Sequence, residues 1–231
     1  MTILETQQLC KIYGSLTAVD SVDLELQSGQ IVGLLGPNGS GKTTLIKMIA
    51  GLLTRSSGTL YIDGDLPGKN TKAKVAYLPD RDFLPPYMNT EQLLDFYEDF
   101  FADFDTLRAE AMLKDLGLDT TLPLKKMSKG TKEKVQLILT MSRKAKLYLL
   151  DEPIAGVDPA TREYILKTII SNYDSDSVVL ISTHLITDVE SILDDIIFLQ
   201  EGKIIIHKDA DTLREEEGKS IDKLFREVFR C

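Results

Sequence analysis

The octapeptide GPNGSGKT, Gly36 to Thr43, constrains this chain more than any other feature. It fits G-x-x-x-x-G-K-[ST], a spacing that puts glycine where successive backbone N–H groups must curl around an anion without Cβ clashes. The apolar run QIVGLLG before it reads as a buried strand. TTLIKMIAGLL after it reads as a helix with Leu45, Met48, Ile49 and Leu52 on one face, ending near Gly51. A strand, a glycine loop and a helix in that order aim the positive end of the helix at the loop, a context that a merely flexible turn does not require. The expected ligand is a polyphosphate held by Gly36, Pro37, Asn38, Gly39, Ser40, Gly41, Lys42, Thr43 and Thr44. Lys42 would reach the β- and γ-phosphates, and the Thr43 hydroxyl would ligate Mg²⁺.

Two further strand ends carry polar chemistry. LYLLDEP, Leu147 to Pro153, is an apolar strand ending in Asp151, suited to hold Mg²⁺ through water, and in Glu152, suited to orient and deprotonate an attacking water. By itself the segment is equally an acidic strand end in a turn. SVVLISTH ends in His184, whose imidazole could hydrogen-bond a γ-phosphate or the water, although a lone histidine after a strand is more often a surface residue.

KKMSKGTKEK, residues 125–134, holds five lysines in ten positions, a pattern found in nucleic-acid patches. The net charge of −9 weighs against that reading, because duplex binders usually carry a dominant basic face. The cysteines, Cys10 and Cys231, form no C-x-x-C pair, and His184 and His207 lack metal-ligand spacing, so a reducing cytosol is the simpler expectation. MTILETQQLC lacks the form of a signal peptide, and no run of about 18 apolar residues occurs. A role at a membrane would therefore need another chain.

ILETQQLCKIYG, AVDSVDLELQSG and TLYIDGDL alternate like strands. Residues 84–145 change to helical spacing in TEQLLDFYEDFF, TLRAEAMLKDLGL and TKEKVQLILTMSRKA. PATREYILKTIISNY reads as a helix with Asp158 as N-cap and Pro159 at its first position. IIFLQEGKIIIHK reads as a hairpin turning at Glu201-Gly202, and IDKLFREVFR as a short amphipathic helix.

Taken in order, Tyr13, GPNGSGKTT, YLPD, MSKGT, LYLLDEP, GVD and His184 resemble the aromatic loop, Walker A, glutamine loop, signature, Walker B, D-loop and switch histidine of the ATP-binding subunits of ABC transporters. The resemblance covers essentially the whole chain and leans toward the small ABC-2-like exporter branch. It implies an α/β P-loop core with an antiparallel β subdomain and an inserted α-helical subdomain at about 84–145, with a C-terminal hairpin and helix at about 194–231, in one domain spanning 1–231. It implies ATP and Mg²⁺ as ligands, catalysis by Glu152 with His184 and Lys42, and Thr43, Asp80 and Asp151 at the metal. Tyr13 would stack on adenine, the Asp158 segment would form the D-loop, and Ser128 with the Gly130 N–H would face the γ-phosphate of ATP held by the other subunit of a homo- or heterodimer. On this reading the lysines flank a phosphate site and no nucleic acid is bound.

Two positions depart from the family pattern. Lys129 stands in place of the signature's first glycine and adds charge near a polyphosphate. Asp80 stands in place of glutamine, adding a negative charge near Asp151 and Glu152. The expected partner is a separate membrane-spanning permease, docked on exposed Phe83, Leu84, Pro85, Pro86 and Tyr87, with the protein cytoplasmic and peripheral on the inner face of the membrane. A soluble ABC ATPase acting on DNA, ribosomes or Fe–S assembly would usually carry insertions or a second cassette. A P-loop kinase would leave the signature and His184 unexplained.

Overall fold

The structure is a computed structural model describing residues 1–229; Arg230, the end of the expected tail helix, and Cys231 lie outside the described residues. In chain order the strands are β1 (Thr2–Tyr13), β2 (Leu16–Gln27), β3 (Gln30–Leu35), β4 (Ser57–Ile62), β5 (Val75–Leu78), β6 (Leu147–Asp151), β7 (Val178–Thr183), β8 (Asp195–Gln200) and β9 (Lys203–Asp209). The helices are α1 (Lys42–Ile49), α2 (Lys69–Lys74), α3 (Thr90–Phe100), α4 (Thr106–Asp115), α5 (Lys129–Met141), α6 (Pro159–Asn172), α7 (Ile186–Val189), α8 (Ala210–Glu217) and α9 (Ile221–Phe229).

The strands form an antiparallel sheet, β2-β1-β4, and a six-stranded sheet, β5-β6-β7-β3-β8-β9, parallel except for its edge strand β9. Alternation along the buried strands assigns the two faces of the larger sheet. Val32, Leu34, Leu147, Leu149, Val178 and Leu180 pack with α1 and the antiparallel sheet. Ile31, Leu35, Tyr148, Leu150, Val179 and Ile181 face the opposite way, toward residues of α5, α6, α8 and α9. The near-continuous apolar strands follow from that double coverage.

The 84–145 segment has its own apolar cluster, built from α3, α4 and α5 and including Leu93, Leu113, Val135 and Ile138. It joins the sheet through Arg143, just past α5, which pairs with Asp103 and donates to the Val75 and Ala73 carbonyls. Asp158 caps α6 by accepting from Thr161 N–H, with Pro159 at the first helical position as expected. The β8–β9 hairpin turns at Glu201-Gly202. Leu52 departs from its expected place. Helix α1 ends at Ile49, Gly51 turns the chain at φ 69°, and Leu52 swings outward to 60% exposure. Among the described residues no helix is long and apolar enough to cross a membrane.

Candidate functional site

The topology gathers the three polar strand ends. Strands β6, β7 and β3 are adjacent and parallel, so their C-terminal ends open on one edge, where α/β folds bind ligands. The loop from Gly36 to Gly41 leaves β3 and opens α1. Gly39 (φ 82°) and Gly41 (φ 108°) take left-handed conformations that favour glycine, and Gly41 leaves no room for a side chain because a Cβ there would fall 2.4 Å from the Ala18 carbonyl oxygen. Gly41 caps α1 without a side chain, so the first-turn N–H groups have no capping side chain and face the loop. Lys42 folds back over the loop, its Nζ donating to the Gly36 carbonyl at 2.7 Å and the Pro37 carbonyl at 3.2 Å. A cavity of about 670 Å³ follows the loop, lined by Tyr13, Leu16, Asn38, Lys42, Thr43, Thr44, Asp80, Glu152 and Glu201 among others.

Asp151 is buried at the end of β6, its Oδ1 accepting from Ser182 Oγ at 2.6 Å and from Thr43 Oγ1 at 3.2 Å. Its Oδ2 is buried with no hydrogen-bond partner. Burial raises the Asp151 carboxyl above its ordinary range, Ser182 and Thr43 oppose this, and nearby Asp80 and Glu152 add to it. Burial likewise lowers the Lys42 ammonium, against the pull of Glu152 and Asp151. The site thus holds a buried ammonium and a buried carboxylate that are only partly compensated, Asp151 Oδ2 having no partner, the arrangement expected where a polyphosphate and a cation complete the charge balance. The donor set fits Mg²⁺: a hydroxyl and a partnerless carboxylate oxygen side by side, with room for phosphate oxygens. Among the described residues no group of three or more His, Cys, Asp or Glu stands together at metal-ligating positions.

Glu152 follows in a left-handed conformation, φ 52°, fixed by hydrogen bonds from its N–H to the Ser182 carbonyl (3.0 Å) and Ser182 Oγ (3.1 Å). A glutamate costs energy in that conformation, and such strain concentrates at functional positions. Glu152 Oε1 lies 3.8 Å from Lys42 Nζ, and Oε2 lies 3.0 Å from His184 Nδ1. Its side chain keeps 15% exposure, His184's 42%, so one end of this Lys–Glu–His chain is open to solvent.

Ser128, Gly130 and Asp158 lie outside this cavity and form a second cluster. Ser128 caps α5, accepting from Thr131 N–H at 3.2 Å. A Cβ on Gly130 would lie 3.2 Å from Thr161 Oγ1 and 3.6 Å from Asp158 Oδ2, which places the three residues together. Lys129 turns away from them toward the Gly156 carbonyl (3.5 Å) and Glu133 (3.6 Å). With Asp80, Arg81, Asp82, Gln136 and Glu152 it lines an adjoining cavity of about 430 Å³.

Residues 19–155 match the protein family described as ABC transporter. The chain is 31% identical over 217 residues to the ABC transporter ATP-binding protein YtrB of Bacillus subtilis (strain 168), covering 93% of this chain and 74% of YtrB. It is also 31% identical over 212 residues to the SkfA peptide export ATP-binding protein SkfE of the same organism, covering 89% and 88%. A solved ATP-binding subunit of an ABC transporter superposes with a TM-score of 0.89 at 26% identity, over 98% of this chain and 99% of that one. The chain belongs to the ABC transporter family. It is the ATP-binding, ATP-hydrolysing subunit of that class, and such subunits work with membrane permease components.

Within the ABC cassette, Tyr13 stands 43% exposed and lines the cavity beside the phosphate loop, with Lys11 Nζ 4.9 Å from its ring centroid. Asp80 lines both cavities beside Glu152. Phe83, Pro86 and Tyr87 are exposed as expected, whereas Leu84 and Pro85 are half-buried because Leu84 packs on the helical cluster. Two functional contacts escaped the sequence reading. Ser182, an uncharged residue at a strand end, holds both Asp151 and the Glu152 backbone. Gln136, buried on α5, accepts from Phe83 N–H at 3.3 Å and donates to Asp82 at 3.2 Å, tying the Asp80 loop to α5. Its seven-residue offset from Lys129, two helical turns on the same face, was the available signal.

Proposed function

We propose that this chain powers an exporter by ATP-dependent closure of a two-cassette sandwich, each ATP lying between one copy's phosphate loop and the other's Ser128 and Gly130. The observation that carries the reading is the chain Lys42–Glu152–His184 set beside Asp151 and its partnerless oxygen. Glu152 takes the proton of the attacking water, His184 holds the Glu152 carboxylate in position, and Lys42 exchanges its loop carbonyls for the β- and γ-phosphates. Thr43 and Asp151, with Asp80 close by, would hold Mg²⁺, which when bound neutralises charge on the phosphate oxygens. Tyr13 stacks on the base.

In the same sandwich, Asp158 and the Gly156 segment line the facing surface next to Ser128 and Gly130. The whole chain reads as one cassette. Tyr87, 71% exposed, and Phe83 form the surface for a separate membrane-spanning permease, with the cassette peripheral on the inner face. Export as the direction rests on similarity to the SkfA peptide export protein. The test is steady-state ATP hydrolysis by the purified protein and by Glu152→Gln. The reading predicts a loss of about 10²–10⁴-fold in kcat with ATP binding retained. Undiminished turnover would assign the base elsewhere.

A further inference from the structure

One wall of the nucleotide cavity has no part in the phosphate chemistry. It is the turn joining β8 to β9, whose first residue, Glu201, lines the cavity together with Thr17, Ala18 and Gly202. The turn is anchored to the phosphate loop and to β2: Gly202 N–H donates to the Ser40 carbonyl at 2.9 Å, and Asp20 N–H donates to the Gly202 carbonyl at 2.9 Å. Lys203 pairs with Asp20 at 3.2 Å. Packing is equally close, since a Cβ on Gly202 would fall 2.9 Å from the Ala18 carbonyl oxygen, and one on Gly41 would fall 3.5 Å from Gly202 Cα. Glu201 is therefore held at a fixed distance from the loop that grips the phosphates. It adopts φ 48°, and its carboxylate has no hydrogen-bond or ion-pair partner among the described residues.

Three acids line this cavity, and position separates their roles. Asp80 and Glu152 sit close enough to Asp151 to raise its carboxyl, at the phosphate end. Glu201 lines the cavity from the turn that packs on Ala18 and on the phosphate loop at Ser40 and Gly41, and it is not among the charges that act on Asp151. A carboxylate repels phosphate, so its partner on that wall is a neutral group that donates hydrogen bonds. Between a base at Tyr13 and phosphates on the loop, the group that fits is the ribose, whose two hydroxyls can both donate to one carboxylate. We propose that Glu201 recognises the ribose hydroxyls of the bound nucleotide and makes this ATPase selective for ribonucleotides over deoxyribonucleotides. The assignment rests on the reading of the cavity as the ATP site with its base at Tyr13.

The experiment is calorimetric titration of ATP, 2′-deoxy-ATP and 3′-deoxy-ATP into the wild type, Glu201→Gln and Glu201→Gly. Hydrogen bonds to a charged acceptor predict that the wild type binds at least one deoxy analogue about tenfold more weakly than ATP. Glu201→Gly suits the left-handed φ, so the turn is kept while the carboxylate is removed, and the ratio falls to about one. Glu201→Gln, which retains an acceptor oxygen without the charge, lies between. Equal binding of all three nucleotides by the wild type, or an unchanged ratio in Glu201→Gly, overturns the assignment while leaving the ATP site intact. Failure of the wild type to bind any of them overturns the reading of the cavity itself.

Discussion

Arg143→Met tests how the helical segment is held to the sheet. The Arg143 side chain is 5% exposed and donates from Nε and Nη2 to the two oxygens of Asp103, both at 3.0 Å. The same guanidinium donates to the Val75 carbonyl at 2.6 Å and the Ala73 carbonyl at 2.8 Å, and lies 4.1 Å over the Phe101 ring. Asp103 and Phe101 lie between α3 and α4, while Ala73 and Val75 lie at the junction of α2 with β5, so one side chain spans the join. Removing one partner of a buried pair costs about 3–5 kcal/mol. Asp103 keeps 24% of its side-chain surface exposed and can recruit water, which places the cost near ~3 kcal/mol. For a chain of this length that lowers Tm by roughly 6–12 °C. Arg143→Lys keeps the charge but offers one point donor to acceptors on three sides, and should lose about half as much. Thermal and urea unfolding of both variants, with Asp103→Asn to close a double-mutant cycle, provides the check. Arg143→Met within about 1 kcal/mol of the wild type would refute the reasoning.

Asp151→Asn removes a buried carboxylate whose ionised form burial disfavours and whose Oδ2 has no hydrogen-bond partner. It should raise the Tm of the protein free of nucleotide and metal by about 2–4 °C while abolishing the dependence of ATP affinity on Mg²⁺, read by calorimetry with and without the ion. Asp105 is held below its ordinary value of 3.8 by the Arg108 N–H and by Lys144, so its contribution is present above about pH 3.8 and lost as pH falls through the lower folded value. Asp105→Asn should be less stable by about 0.5–1 kcal/mol at pH 7, and urea unfolding down the acid limb should show the gap close. Tyr87→Asp places a charge on the proposed docking surface. It should leave basal ATP hydrolysis unchanged and uncouple it from transport in vesicles containing the permease; unchanged transport would remove Tyr87 from the interface.

What was legible in the sequence was what chemistry dictates locally. The phosphate loop must contain glycine, the strands beneath it must be apolar, and each places its polar residue at its end, so GPNGSGKT, LYLLDEP and STH marked the three strand ends that the sheet brings together. The cap at Asp158 and the turn at Glu201-Gly202 were legible for the same reason. Short elements were not. Strand β5 has four residues and α2 six, too few for a period to emerge, and α7 and α8 lack a broad apolar stripe. Contacts across the fold were also hidden. Ser182 meets Asp151 only because β6 and β7 are neighbours in register, and Gln136 meets Asp82 only because α5 packs under that loop. Lys129 carried a visible charge, but its turn toward Gly156 and Glu133 depends on where α5 lies.

The central claim is that two copies of this site, or this chain and a related cassette, close on ATP before Glu152 acts. Static light scattering on purified Glu152→Gln, with and without Mg-ATP, tests it directly. The account predicts a monomer without nucleotide and a mass doubled to a dimer with Mg-ATP, because binding persists while hydrolysis is blocked. A protein that stays monomeric at saturating ATP, alone and with its related cassette added, would contradict it.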